Sequence, residues 1–99
     1  MRKLIVLAAL VALAIAAIPA FAATKTVKVD DNVFSPKALT MKKGDKIKFV
    51  WVGDAPHNVK GAGINIGTRT SGTKTVTIRK AGTFVCTIHP GMTGKIRLR

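Results

Sequence analysis

Residues 24–98 form a succession of short segments in which apolar and polar side chains alternate, each broken by Gly, Pro, Asn or Asp. Alternation with a period of two belongs to strands that bury one face. None of the segments carries a helical period with a cap. Val27 and Val29 share one face of the first segment, and Ile47, Phe49 and Trp51 share one face of a later one. Asp30-Asp31-Asn32 and Lys43-Gly44-Asp45 supply turn chemistry, Phe34-Ser35-Pro36 leads into a strand around Ala38 to Lys42, and Gly53-Asp54-Ala55-Pro56 reads as a loop delivering His57. Four glycines between Gly61 and Gly72 predict irregular chain there. Further strands are expected over Thr73–Arg79, Thr83–Thr87 and Gly94–Leu98, with Ile88–Thr93 as a loop. The expected fold is all-β, a small antiparallel β-sandwich of about seven to eight strands.

Ahead of this domain stand Met1-Arg2-Lys3 and an unbroken apolar run from Leu4 to Ile18, closed by Pro19 and the small-x-small pattern Ala20-Phe21-Ala22. This is the composition of a secretory signal peptide cleaved after Ala22, which divides the chain into a leader over 1–22 and a single domain over 23–99. The alternative is an uncleaved anchor, since Leu4 to Ala23 is just long enough to span a bilayer. In either case the domain is extracytoplasmic, periplasmic or secreted, and membrane association follows only if the leader is retained.

A domain of 77 residues sits near the lower limit for folding on its own core, where disulfides or metals commonly assist. A disulfide within the chain is excluded because Cys86 is the only cysteine. A lone thiol in an oxidising compartment therefore points to a metal ligand. Without Arg2 and Lys3 the domain keeps fifteen basic residues against four acidic ones, a formal charge of +11. Such a field attracts acidic partners. The basic residues are scattered over strand positions and not clustered with stacking aromatics, so nucleic acid is not expected.

Cys86-Thr87-Ile88-His89-Pro90-Gly91-Met92 places thiolate, imidazole and thioether at i, i+3 and i+6 in the last loop. From composition alone, His and Met at those offsets from a given cysteine arise about once in 1,600. Copper accepts two imidazoles and a thiolate in a plane with a weak axial thioether, and His57 is the only other histidine. Taken singly, Cys86 reads as a small buried hydrophobe, His57 as a hydrogen-bonded surface residue and Met92 as core filler. Zinc is the nearest chemical rival, although its sites usually add cysteine or carboxylate. A Cys/His nucleophile lacks an evident Asn or Asp to orient His89, and no enzyme is expected.

The blocks Phe49–Val59 and Gly82–Ile96 resemble the copper-binding blocks of the cupredoxins, and the likeness extends over nearly all of the domain. The short Cys-x-x-His-x-x-Met loop is similar to that of amicyanin and pseudoazurin more than to that of plastocyanin. The resemblance implies a Greek-key sandwich with one copper at one end, His57, Cys86 and His89 as equatorial ligands and Met92 as the axial one. It implies that Asn58 ties the two ligand loops together and that its amide supports the cysteine sulfur. His89 becomes the electron port, flanked by Pro56, Pro90 and Gly91. The expected function is a blue-copper carrier of single electrons, monomeric, serving an acidic redox protein such as a c-type cytochrome or a dehydrogenase subunit. A module for copper storage or delivery is the alternative. Two departures from the pattern stand out: Phe84 and Val85 occupy positions where a tyrosine is common, and the interval of 29 residues from His57 to Cys86 is short, which implies a trimmed strand or loop.

Overall fold

In the computed structural model, which describes residues 21–99, every regular element is a strand. The leader expected over 1–22 lies outside the described residues except for Phe21 and Ala22, which are exposed. Nine strands follow: β1 (Thr24–Asp30), β2 (Val33–Ser35), β3 (Ala38–Met41), β4 (Lys46–Trp51), β5 (His57–Gly61), β6 (Ile64–Arg69), β7 (Gly72–Thr77), β8 (Gly82–Val85) and β9 (Thr93–Leu98). They form two sheets, in the orders β2-β1-β4-β7 and β3-β9-β8-β5-β6.

Two expectations are corrected. The glycine-rich stretch contains a regular strand, β6, whose Ile64 and Ile66 alternate inward. Its glycines have separate tasks. Gly61 and Gly63 adopt left-handed φ of 117° and 77° in the turn between β5 and β6, whereas Gly67 occupies an exposed strand position. The pairing is also not wholly antiparallel: β1 runs parallel to β4 and β3 parallel to β9. Parallel neighbours need a crossover, and the chain supplies one by passing to the other sheet between them.

The inward faces meet in a core that includes Val27, Val29, Phe34, Ile47, Phe49, Val59, Phe84 and Ile96, all at most 1% exposed. Phe84 is its hub, with edge-to-face contacts to Phe34 and Phe49 at centroid separations of 4.9 and 5.6 Å. Its ring lies over Gly94, the residue opposite it on β9, where an added Cβ would fall 2.2 Å from Cζ. Gly94→Ala is therefore an overpacking change and should destabilise the domain by about 1–3 kcal/mol, read from chemical denaturation.

Strand register defines two ends. Val29, Trp51 and Gly72 align at one, and Thr24, Lys46 and Thr77 at the other. The first end gathers Asp31–Asn32, Val52–Pro56 and the Cys86–Met92 loop. At the second, Asp45 is buried and accepts the amides of Ala23 and Lys42, both at 3.0 Å. Those two bonds hold its carboxyl below the ordinary aspartate range.

Candidate metal centre

His57 is the first residue of β5 and is fully buried. A register shift between His57 and Val59 interrupts the pairing with β6. The consequence is that His57, Asn58 and Val59 are all buried where a regular strand would alternate. A bulge of this kind re-aims a side chain at the end of a sheet. Trp51 fixes the backbone there, its indole Nε1–H donating to the His57 carbonyl at 3.1 Å.

Cys86 follows β8 directly and is 3% exposed. Its amide donates to the Met92 carbonyl at 3.0 Å, and the Met92 amide donates to the His89 carbonyl at 3.2 Å. These bonds fold the loop back on itself, with Gly91 at φ 80° making the reversal. Met92 is thereby buried beside Cys86 while His89 stays half-exposed. The reversal also brings the donor atoms together. The Nδ1 atoms of His57 and His89 are 3.1 Å apart, and Cys86 Sγ lies 3.3 Å from His89 Nδ1 and 3.9 Å from His57 Nδ1. The ligand atoms of His57, Cys86 and His89 all fall within 4.8 Å of one another, so these three could hold one metal ion. Two imidazoles and a thiol converging in a largely buried place form a soft nitrogen–sulfur set, and Met92 offers a thioether at the same end. Each of the four residues singled out in the sequence is thus brought to this end of the sandwich.

A second layer ties the two histidine loops. The Asn58 side chain donates to Thr87 Oγ1 at 2.7 Å and accepts the Thr87 amide at 2.8 Å. The tie expected of Asn58 is present and is made by the side-chain amide from both of its ends; the backbone-amide bond expected to the cysteine sulfur is not present among the described residues, where the contacts of Cys86 Sγ run to the two histidine Nδ1 atoms.

Asp31 was legible in the sequence only as a turn residue, yet it supports the site. Its carboxylate accepts from His57 Nε2 at 3.0 Å, from the Ala55 amide at 2.9 Å and from the Asp54 amide at 3.1 Å. The His57 bond, followed by the two amides, lowers its pKa to about 2. An ionised carboxylate only accepts, so the proton of His57 sits on Nε2 and Nδ1 presents its lone pair to the converging donors. Gly53 leaves room for this clamp, since a Cβ there would lie 2.3 Å from Asp31 Oδ1. The separation of 26 residues between Asp31 and His57 hid the pair; the glycine beside the histidine loop was the one available hint. Asp31→Asn should weaken metal affinity about tenfold, the low end of the range for such supporting residues because the carboxylate is 41% exposed. A competition titration with a chelator reads this, and the Asp31→Asn protein should remain folded.

A family profile described as "Copper binding proteins, plastocyanin/azurin family" matches residues 22–99. Among solved structures, amicyanin from Paracoccus versutus (Thiobacillus versutus) is 27% identical, with a TM-score of 0.58 over 85% of this chain and 87% of that one. A purple cupredoxin from Nitrosopumilus maritimus is 15% identical, with a TM-score of 0.66 over 76% of this chain and 99% of that one. A mutant plastocyanin of fern is 23% identical, with a TM-score of 0.58 over 75% and 99%. No curated protein sequence matches this chain.

Proposed function

Since the chain belongs to the plastocyanin/azurin family of copper-binding proteins, we propose that it is a type 1 copper protein that carries single electrons between redox partners. One copper per chain fits the donor set. In this reading His57 and His89 would hold the copper through Nδ1 and Cys86 through its thiolate, with Met92 adding a thioether. The observation that carries the reading is the convergence of the two Nδ1 atoms and Sγ in the protein itself. A site held in place by β-sheet, the Asn58–Thr87 tie and the Asp31 clamp changes little between oxidation states, which is what fast one-electron exchange needs.

The half-exposed His89 is the proposed port. Around it the metal end presents Val52 and Ile88, each about half exposed, together with Pro56 and Pro90. An apolar rim of this kind suits brief contact with a redox protein. The partner is proposed to be acidic, a c-type cytochrome or a dehydrogenase subunit, drawn toward the domain by its formal charge of +11, with the contact at His89 itself made by the apolar rim and not by charge. Removal of residues 1–22 on export would place the carrier in the periplasm or another extracytoplasmic space as a monomer. Among the described residues no helix is long and apolar enough to cross a membrane.

The test is a reduction and reoxidation cycle followed by stopped flow, with an acidic c-type cytochrome as electron donor. The copper should cycle without loss of metal, and the second-order rate should fall as salt is added. Copper that leaves the protein on reduction would overturn the carrier in favour of storage or delivery. A rate indifferent to salt would remove the acidic partner.

A further inference from the structure

The positive charge of the domain is concentrated at the end opposite the metal centre. Lys42 and Lys43 lie in the turn before β4, Lys46 begins that strand, Arg79 and Lys80 precede β8, and Arg99 follows β9. All six side chains are exposed. Backbone bonds knit these segments into one surface: Gly44 donates to Ile78 O at 2.7 Å, Ile78 to Asp45 O at 2.8 Å and Arg99 to Met41 O at 3.0 Å. Lys80 packs on Gly63 in the neighbouring turn. The one acidic residue at this end, Asp45, is buried and committed to two amides; it makes no ion pair with the surface cations, although the charges of Lys42 and Arg99 reach it. The other three acidic residues, Asp30, Asp31 and Asp54, sit at the metal end, together with the half-buried Arg69, which stacks over Trp51.

Seven residues of β1 separate the ends by about 23 Å at strand rise. That exceeds the screening length of about 8 Å at physiological salt, so the two ends act as separate electrostatic objects. A patch of unpaired cations at one end and a mildly acidic apolar rim at the other orient the protein in a field; they do not simply add to a net charge.

We infer that the basic end docks on an anionic phospholipid surface and holds the metal end facing away from it. Two further observations favour lipid over an acidic protein. The described chain enters the fold at this same end: Ala23 O accepts the Lys46 amide at 2.9 Å, so the end that carries the cations is the one from which residues 1–22 depart and the one held nearest the membrane during export. The side of the same end also carries an open groove of about 530 Å³, lined by Lys25, Thr26, Leu39, Thr40 and Arg99 among others. Two cations beside the hydroxyls of Thr26 and Thr40 suit an anionic phosphodiester headgroup. The docked orientation leaves His89 free for a soluble partner, and it needs no copper, so its failure and that of the carrier reading are separable.

The experiment is co-sedimentation of the exported protein, with and without copper, on phosphatidylglycerol–phosphatidylcholine vesicles and on pure phosphatidylcholine. Binding is expected on the anionic vesicles only and should be the same with and without copper. Replacing Lys42, Lys43, Arg79 and Lys80 together by Gln should cost about fivefold per residue, several hundredfold in all. Replacing Lys28, Lys48, Lys74 and Lys95, which remove equal charge from the strand faces, should cost less than tenfold. An equal loss in both variants would overturn the docking end, as would binding to polyglutamate but not to vesicles. Orientation is read in a Cys86→Ser background with a polarity-sensitive thiol label. The label at Lys43→Cys should blue-shift on anionic vesicles and that at Asp54→Cys should not; the reverse pattern would overturn the proposal, even if the fourfold Gln variant fails to fold.

Discussion

Copper loading is expected to raise the midpoint of thermal unfolding of the domain by about 15–30 °C. A ligand that binds only the folded state at a thousand times its Kd stabilises by about 4 kcal/mol, and each kcal/mol moves the midpoint of a domain this size by about 4–8 °C. The folded chain meets the condition, because His57, Cys86 and His89 are 29 and 3 residues apart in sequence yet converge within 4.8 Å. In the unfolded chain only the Cys86–His89–Met92 segment stays together, and residual binding there trims the gain. Two scanning-calorimetry runs, with and without copper, suffice. A shift of a degree or two would mean that the convergence of donors is not a metal site.

Cys86→Ser should abolish most of that shift. A serine hydroxyl does not ionise at neutral pH and is a harder donor than a thiolate, so copper loses its strongest ligand. The loss of affinity should exceed the 10–100-fold typical of residues that merely support a ligand. The metal-free Cys86→Ser protein, by contrast, should stay within about 1 kcal/mol of the parent. The side chain is small, and its hydroxyl oxygen can accept from the ring nitrogen of His89, which lies 3.3 Å from the present sulfur. The measurement pairs a copper titration with urea unfolding of the metal-free protein. If the Cys86→Ser protein bound copper as tightly as the parent, the sulfur would not be a ligand.

Most of the fold was legible because a period of two has one structural meaning when one face must be buried. Ile47, Phe49 and Trp51 mark β4 by alternation alone, and all three are buried. β6 was hidden because two of its neighbouring glycines serve a turn and one merely occupies an exposed position, a distinction that φ makes and composition does not. The parallel pairs were hidden because register between strands distant in sequence leaves no local trace. In the centre, the Cys86–His89–Met92 loop was legible for the opposite reason: three soft donors at fixed spacing in one loop are a local signal. Asp31 was not, since a carboxylate that turns the chain and one that also clamps a histidine 26 residues away look alike in sequence. The same holds for the charge. Its size could be counted, but its segregation from the metal end depends on which turns the sandwich places together.

In the proposed centre His57, Cys86, His89 and Met92 hold one copper with a thiolate bond. The most direct measurement is the visible absorption spectrum as Cu(II) is added to the metal-free protein. An intense thiolate-to-copper charge-transfer band should grow linearly, saturate at one copper per chain and be absent from Cys86→Ser. A protein that stays colourless with copper bound would contradict it.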